Sequence, residues 1–269
     1  MESEEALIKS ALEGNKESLE TLINSVQKQV FNLSLRFLWA REDAEDATQE
    51  ILIKLITNLS KFKGHSKFST WAYRVATNYL LNLKATKVEK TVTSFDDFAA
   101  DLASGDQQQS YNQPDRQIME KEMKTGCTLA MLQCMDRNHR VTFILGSILK
   151  INSATGAEIT ATSPANFRKR LELSRKTLGN FLNQNCGVYN PENPCRCNKR
   201  INGALSCGRV NRKRLNFVGS EALEAYNEEM EELGSLKGIY QNHGSFKSKS
   251  DLTRSITQLI SSKGIFGYD

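Results

Sequence analysis

Residues 43–54 read DAEDATQEILIK, and residues 61–78 read KFKGHSKFSTWAYRVATN. In the first stretch Ala44, Ala47, Ile51 and Leu55 recur at helical spacing. Leu59 continues the stripe, and Leu52 and Ile56 widen it, which predicts an amphipathic helix. Asp46, Gln49, Glu50 and Ile53 share the opposite face. Two carboxylates, an amide and one bare isoleucine suit a partner that offers basic residues around a small apolar pocket. The same pattern also describes an ordinary solvated acidic face.

The second stretch sets Phe62, Phe68, Trp71 and Tyr73 among Lys61, Lys63, Lys67 and Arg74. Basic side chains track phosphates, and aromatic faces stack on unpaired bases. Gly64 in a short loop lets backbone approach a ligand closely. The alternative is that the aromatics are core and the lysines merely surround them. Ala72, Val75, Ala76, Tyr79 and Leu83 then form another helical face, with Ser69 or Thr70 as the expected N-cap.

Working outward, Val30, Phe31, Leu33, Leu35, Phe37 and Leu38 form a dense apolar segment, and no strand alternation appears. Residues 1–90 are therefore expected to be an all-helical domain. Residues 91–116 are polar, with Asp96, Asp97, Asp101 and Asp106 close together, and read as a flexible acidic linker. Helical pattern resumes near Ile118. Ser163 followed by Pro164 is a strong helix start, because serine caps and proline suits the first helical position. A short helix, a tight turn and a basic helix over about Thr155–Leu182 make a helix-turn-helix, within a second domain at 117–185. Residues 186–269 form a cysteine-containing C-terminal extension. Within it an acidic helix is expected from about Ser220 to Leu233, and a last short helix through residues 252–260. The fold class is all-α.

Asp43, Glu45, Asp46, Gln49 and Glu50, followed by Phe62, Gly64, Ser66, Phe68, Thr70, Trp71, Tyr73, Arg74, Ala76 and Asn78, resemble at fixed spacing the core signature of the extracytoplasmic-function (ECF) sigma factors of the sigma-70 family. The resemblance implies that Asp43, Asp46, Gln49, Glu50 and Ile53 dock on the largest subunit of core RNA polymerase. It implies that Lys61, Phe62, Lys63, Gly64, His65, Ser66, Lys67 and Phe68, with Trp71, Arg74 and Asn78 behind them, take the minus-ten element. There one base of the non-template strand is flipped into a pocket, at an unstacking cost of a few kcal/mol.

The helix-turn-helix resembles the family's second promoter-binding domain, sigma region 4, as the first domain resembles sigma region 2. Ile159, Phe167, Leu171 and Leu178 are expected in its core. Asn166, Lys169 and Arg170 are expected at the major groove, and Arg168, Arg175 and Lys176 at phosphates. Thr160 stands where alanine is usual. In this family the linker threads near the active site and the RNA path; a plain tether is the alternative.

Cys186, Cys195, Cys197 and Cys207 follow C-x8-C-x-C-x9-C. Four thiolates complete a tetrahedral structural zinc site. A redox cluster and unliganded cysteines stay open as alternatives, because the spacing lacks a C-x2-C knuckle. Cys127 and Cys134 lie on an apolar helical face and are expected in the core. The stretches NCGVYNPENPCRC and GCTLAMLQCMDRNHR resemble one branch of ECF factors that carries a cysteine-containing extension.

Net charge is +5 over 269 residues, from 36 basic and 31 acidic side chains, which permits a polyanion partner without requiring one. No run approaches ~20 apolar residues, and the acidic start MESEEALIKS lacks a signal-peptide layout. A cytoplasmic (bacterial) protein is expected. Its three histidines, His65, His139 and His243, are far apart and have no evident acid or nucleophile partner, so no enzyme is expected. The expected partners are core RNA polymerase and promoter DNA, both duplex and melted non-template strand. A regulatory or DNA-targeting protein on the extension is a further expected partner. The alternative is a sigma-like regulator that recruits polymerase through such a protein and reads promoters weakly itself.

Overall fold

The computed structural model describes residues 3–91, 94–104, 109–217 and 244–248, and every regular element among them is helical. The helices expected at 220–233 and 252–260, and Asp106, lie outside the described residues. The chain divides into two compact units. One takes its described residues from Met1–Lys84, Ala154–Pro164 and Ser245–Asp269. The other takes them from Ala85–Ser153 and Ala165–Gly244.

In the first unit α1 (Glu4–Leu12), α2 (Lys16–Leu38), α3 (Arg41–Thr57) and α4 (Phe68–Asn82) pack together. Asn15 caps α2 by accepting from the Ser18 N–H at 3.0 Å. Trp39, at φ 67°, ends α2 and turns the chain at once into α3. A left-handed non-glycine residue costs roughly 1–2 kcal/mol, so surrounding packing must hold it. The predicted stripe of α3 is buried throughout, from Ala44 to Ile56, against α2 and α4.

The start of α4 differs from expectation. Ser69 and Thr70 lie inside the first turn, and the capping position is Lys67, whose side chain makes no cap bond. The Phe68 N–H instead donates to Glu4 Oε1 at 2.9 Å. A carboxylate from α1 thus serves as the cap and complements the helix dipole.

In the second unit α5 (Lys87–Thr91), α6 (Phe95–Ser104), α7 (Arg116–Met131), α8 (Arg137–Phe143), most of α10 (Pro164–Asn185) and α11 (Cys197–Ser206) enclose a separate core. The segment expected to be a flexible acidic linker is largely helical where described. Ser94 caps α6, accepting from the Asp97 N–H at 3.0 Å while donating to Asp97 Oδ2 at 2.7 Å. Phe95 and Phe98 then stack on Phe181 of α10, with centroids 5.0 and 5.9 Å away. Asp101 takes a bidentate pair from Arg209 at 2.8 Å and another bond from Arg200 at 2.5 Å. Its charge is spent inside the unit.

The extension also has a core of its own. Ile201 and Ala204 of α11, with Val210, pack on Tyr111 and on Met119 of α7. Glu122 is 1% exposed, and its carboxylate accepts from the Asn216 and Phe217 N–H groups at 2.6 and 2.9 Å. Residues 197–217 are thereby fastened to α7.

Within the helix-turn-helix segment α9 (Ser153–Ile159) closes on a Schellman turn. Thr162 N–H bonds to Ala157 O at 2.9 Å and Ala161 N–H to Glu158 O at 3.3 Å. Ala161 sits at φ 50°, the place glycine usually fills. The Thr160 hydroxyl is absorbed by Gly156 O at 2.7 Å. As predicted, α10 begins at Pro164, directly after Ser163.

Candidate functional site

The outer face of α3 carries the predicted docking residues. Asp46 and Glu50 are exposed, while Asp43, Gln49 and Ile53 are half-buried. Next to it Tyr79 of α4 has its phenol pushed up by burial and then by the charges of Glu50 and Asp46. Lys54 Nζ lies 5.8 Å over the Tyr79 ring. The face therefore sets two exposed carboxylates beside a partly buried phenol.

The aromatic loop closes on a triad. Phe62, Phe68 and Trp71 have centroids 5.5–5.8 Å apart. Phe68, predicted from sequence to face DNA, is 1% exposed. It belongs to the core and supports Phe62 and Trp71 from beneath, and those two stay half-open to solvent. Lys61, Lys63, Gly64, His65, Lys67, Arg74 and Asn78 are exposed, and Ser66 is half-buried. Gly64, at φ 70°, makes the tight bend. A basic rim thus surrounds two available ring faces. Behind it Tyr73 is raised to about 12 by burial, against the opposing charge of Arg36.

On α10 Asn166, Arg168, Lys169, Arg175 and Lys176 are exposed, and Arg170 is half-buried. Ser147 Oγ accepts from Arg175 Nε at 2.9 Å, which orients that guanidinium along the surface. The sequence reading missed Leu173, which is 50% exposed one turn after Lys169. A bare leucine between cations offers an apolar contact of the kind thymine methyl groups take. Its signal was an apolar residue off the core stripe of α10.

The cysteines do not group as their spacing suggests. Cys186, Cys195 and Cys197 line one small cavity, and the fourth cysteine on its wall is Cys127 of α7. Cys207 is exposed, outside the cavity lining. Burial, and then the neighbouring sulphurs, push the Cys127 thiol well up and Cys197 up to about 12. Cys195 rises for the same two reasons, burial first and then Cys186. Lys124 and Arg200 share the wall.

A second charge cluster joins α5 to α8. Glu89 takes bonds from Arg137 at 2.7 and 3.0 Å and from Arg140 at 2.7 Å. Burial alone would raise its carboxyl. The bonds from Arg137, the Thr86 N–H and Arg140 outweigh that and hold it at about 2.

Against known proteins, the family model described as Sigma-70 region 2 matches residues 22–88. The RNA polymerase sigma-H factor of Pseudomonas aeruginosa is 33% identical over 81 residues, 30% of this chain and 42% of that protein. The ECF RNA polymerase sigma factor SigW of Bacillus subtilis is 24% identical over 178 residues, 64% of this chain and 92% of that protein. The ECF RNA polymerase sigma-E factor of Escherichia coli is 22% identical over 66% of this chain and 93% of that protein. The region 2 match takes in most of α2 and all of α3 and α4, so this helical bundle is similar to that of sigma-70-type proteins. The relatives it resembles include ECF RNA polymerase sigma factors, and the chain spans 42% of the length of the Pseudomonas aeruginosa sigma-H factor and of the Haemophilus influenzae ECF sigma-E factor. Among the described residues no helix is long and apolar enough to cross a membrane.

Proposed function

We propose that the chain directs transcription initiation as a subunit of RNA polymerase, working in the cytoplasm. Its α3 face of Asp43, Asp46, Gln49, Glu50 and Ile53 docks on core polymerase. The loop from Lys61 to Lys67, with Trp71, Arg74 and Asn78, captures the melted non-template strand. The helix-turn-helix reads duplex DNA through Asn166, Lys169 and Arg170, while Arg168, Arg175 and Lys176 hold phosphates. Base contacts specify and phosphate contacts position.

The observation that carries this reading is the pairing, on one helical unit, of an exposed carboxylate face with half-open Phe62 and Trp71 rings inside a basic rim. Base stacking on such rings is worth about 1–3 kcal/mol per base. That is of the same size as the cost of unstacking one base. The test is permanganate reactivity of promoter thymines with Trp71→Ala holoenzyme, with circular dichroism as folding control. A closed complex with reduced reactivity is expected. Wild-type reactivity contradicts the role of Trp71.

The acidic run Glu221, Glu224, Glu228, Glu229, Glu231 and Glu232 suits a protein partner better than DNA, since carboxylates repel phosphates. A regulatory or DNA-targeting protein is the partner we assign to it.

A further inference from the structure

The loop between α10 and α11 is built to hold its cysteines together. Arg196 runs across it, donating to the carbonyls of Cys195 and Pro191 at 3.0 Å each and also to that of Asn193. Asn190 and Asn193 both donate to Asn183 O, at 3.0 and 2.9 Å, which ties the loop back to the end of α10. Gly187 has no room for a side chain. A Cβ there would meet Arg196 at 2.0 Å and the Cys195 carbonyl at 2.2 Å. That close approach is what lays Cys186 beside Cys195. Cys127 arrives from α7, far away in sequence.

Four thiols around one apolar cavity have few uses. As thiols they are weak hydrogen-bond donors and would serve only as small apolar side chains. As thiolates they repel one another unless a cation sits between them. A soft, tetrahedral divalent ion satisfies all four at once. Each cysteine gives up one proton on binding, so four protons leave and a centre of net charge −2 remains. Lys124 and Arg200 on the same wall offset that charge. Among the described residues no three His, Cys, Asp or Glu side chains stand at distances that hold a metal as they are.

We propose that Cys127, Cys186, Cys195 and Cys197 form a structural zinc site that clamps the C-terminal extension onto α7. Cys207 takes no part in it. The site stands independently of any role in transcription: it joins α7, the loop and α11, and Arg200 carries its influence to Asp101 of α6 through the 2.5 Å bond.

The test is elemental analysis of the full chain, purified without chelator, together with cobalt substitution. About one zinc per chain is expected for wild type and for Cys207→Ser. Cys127→Ser should lose most of it. Should Cys127→Ser fail to fold, cobalt-loaded wild type still decides, because thiolate-to-cobalt charge-transfer intensity scales with the number of sulphur ligands; four are expected. Three results would overturn the proposal. They are wild-type protein with well under one equivalent of zinc, a disulfide between any two of the four, and zinc lost in Cys207→Ser while kept in Cys127→Ser.

Discussion

The side-chain amide of Asn32 holds the backbone of Phe246 at both ends: Nδ2 donates to the Phe246 carbonyl at 2.8 Å, and Oδ1 accepts from the Phe246 N–H at 2.7 Å. Pairing with both the N–H and the C=O of one residue is what a neighbouring antiparallel strand does. The Arg36 guanidinium lies 4.7 Å from the centroid of the Phe246 ring, and Arg41 donates to Lys247 O at 2.8 Å. Burial lowers Arg36 to about 10. Phe246 and Lys247 of segment 244–248 therefore cover buried cations of α2 and α3.

Phe246→Ala should weaken the first unit by about 1–3 kcal/mol, because it removes the ring over Arg36 and loosens the amide pair. Both tryptophans, Trp39 and Trp71, lie in that unit. Fluorescence during denaturant unfolding therefore reports it alone. An unchanged midpoint would mean that the segment sits on the surface without contributing to its stability.

Glu122 makes a sharp claim about where the chain can be cut. Its buried carboxylate is paired by the N–H groups of Asn216 and Phe217, and the Phe217 ring lies against Gly126. A chain ending at Phe217 keeps both bonds. A chain ending at Asn216 loses the Phe217 N–H bond to this carboxylate and the Phe217 ring beside Gly126, and should be less stable by about 1–3 kcal/mol. Both truncations lose segment 244–248, so their difference isolates Phe217. Equal thermal midpoints by circular dichroism would contradict the assignment.

Glu89 predicts an acid weakness of the second unit. Its folded carboxyl is held at about 2, below the ordinary 4.5. A depressed carboxylate contributes stability that is fully present above 4.5 and is lost as pH falls from there toward 2. Glu89→Gln should weaken the unit at neutral pH and flatten this acid dependence. Parallel pH curves for wild type and variant would show that the Arg137 and Arg140 contacts carry no linkage.

Much of the architecture was legible because it is written in local periodicity. The stripe of α3 and the Ser163–Pro164 helix start are readable one turn at a time. What escaped depends on partners far along the chain. The cap of α4 comes from Glu4, and nothing near Phe68 announces it. Cys127 looked like core because it lies on an apolar helical face, and only folding brings it beside Cys186, Cys195 and Cys197. The helix at 95–104 was readable in principle. Phe95, Phe98 and Leu102 keep helical spacing behind a Ser94 cap, but the acidic composition of the stretch masked them. Phe68 was misplaced because an aromatic that stacks on a base and one that supports its neighbour share a spacing.

The central claim is that the α3 face brings this chain to RNA polymerase so that it can start transcription. Run-off transcription with purified core polymerase and promoter DNA, comparing wild type with the Asp46→Lys/Glu50→Lys double variant, tests it most directly. Both substitutions lie on exposed positions, so tryptophan fluorescence should show the first unit still folded. The account predicts promoter-dependent transcripts from wild type and at least a roughly tenfold loss in the variant, since reversing two charges at a docking face costs several kcal/mol. Wild-type chain that yields no promoter-dependent transcript, or a folded double variant as active as wild type, would contradict it.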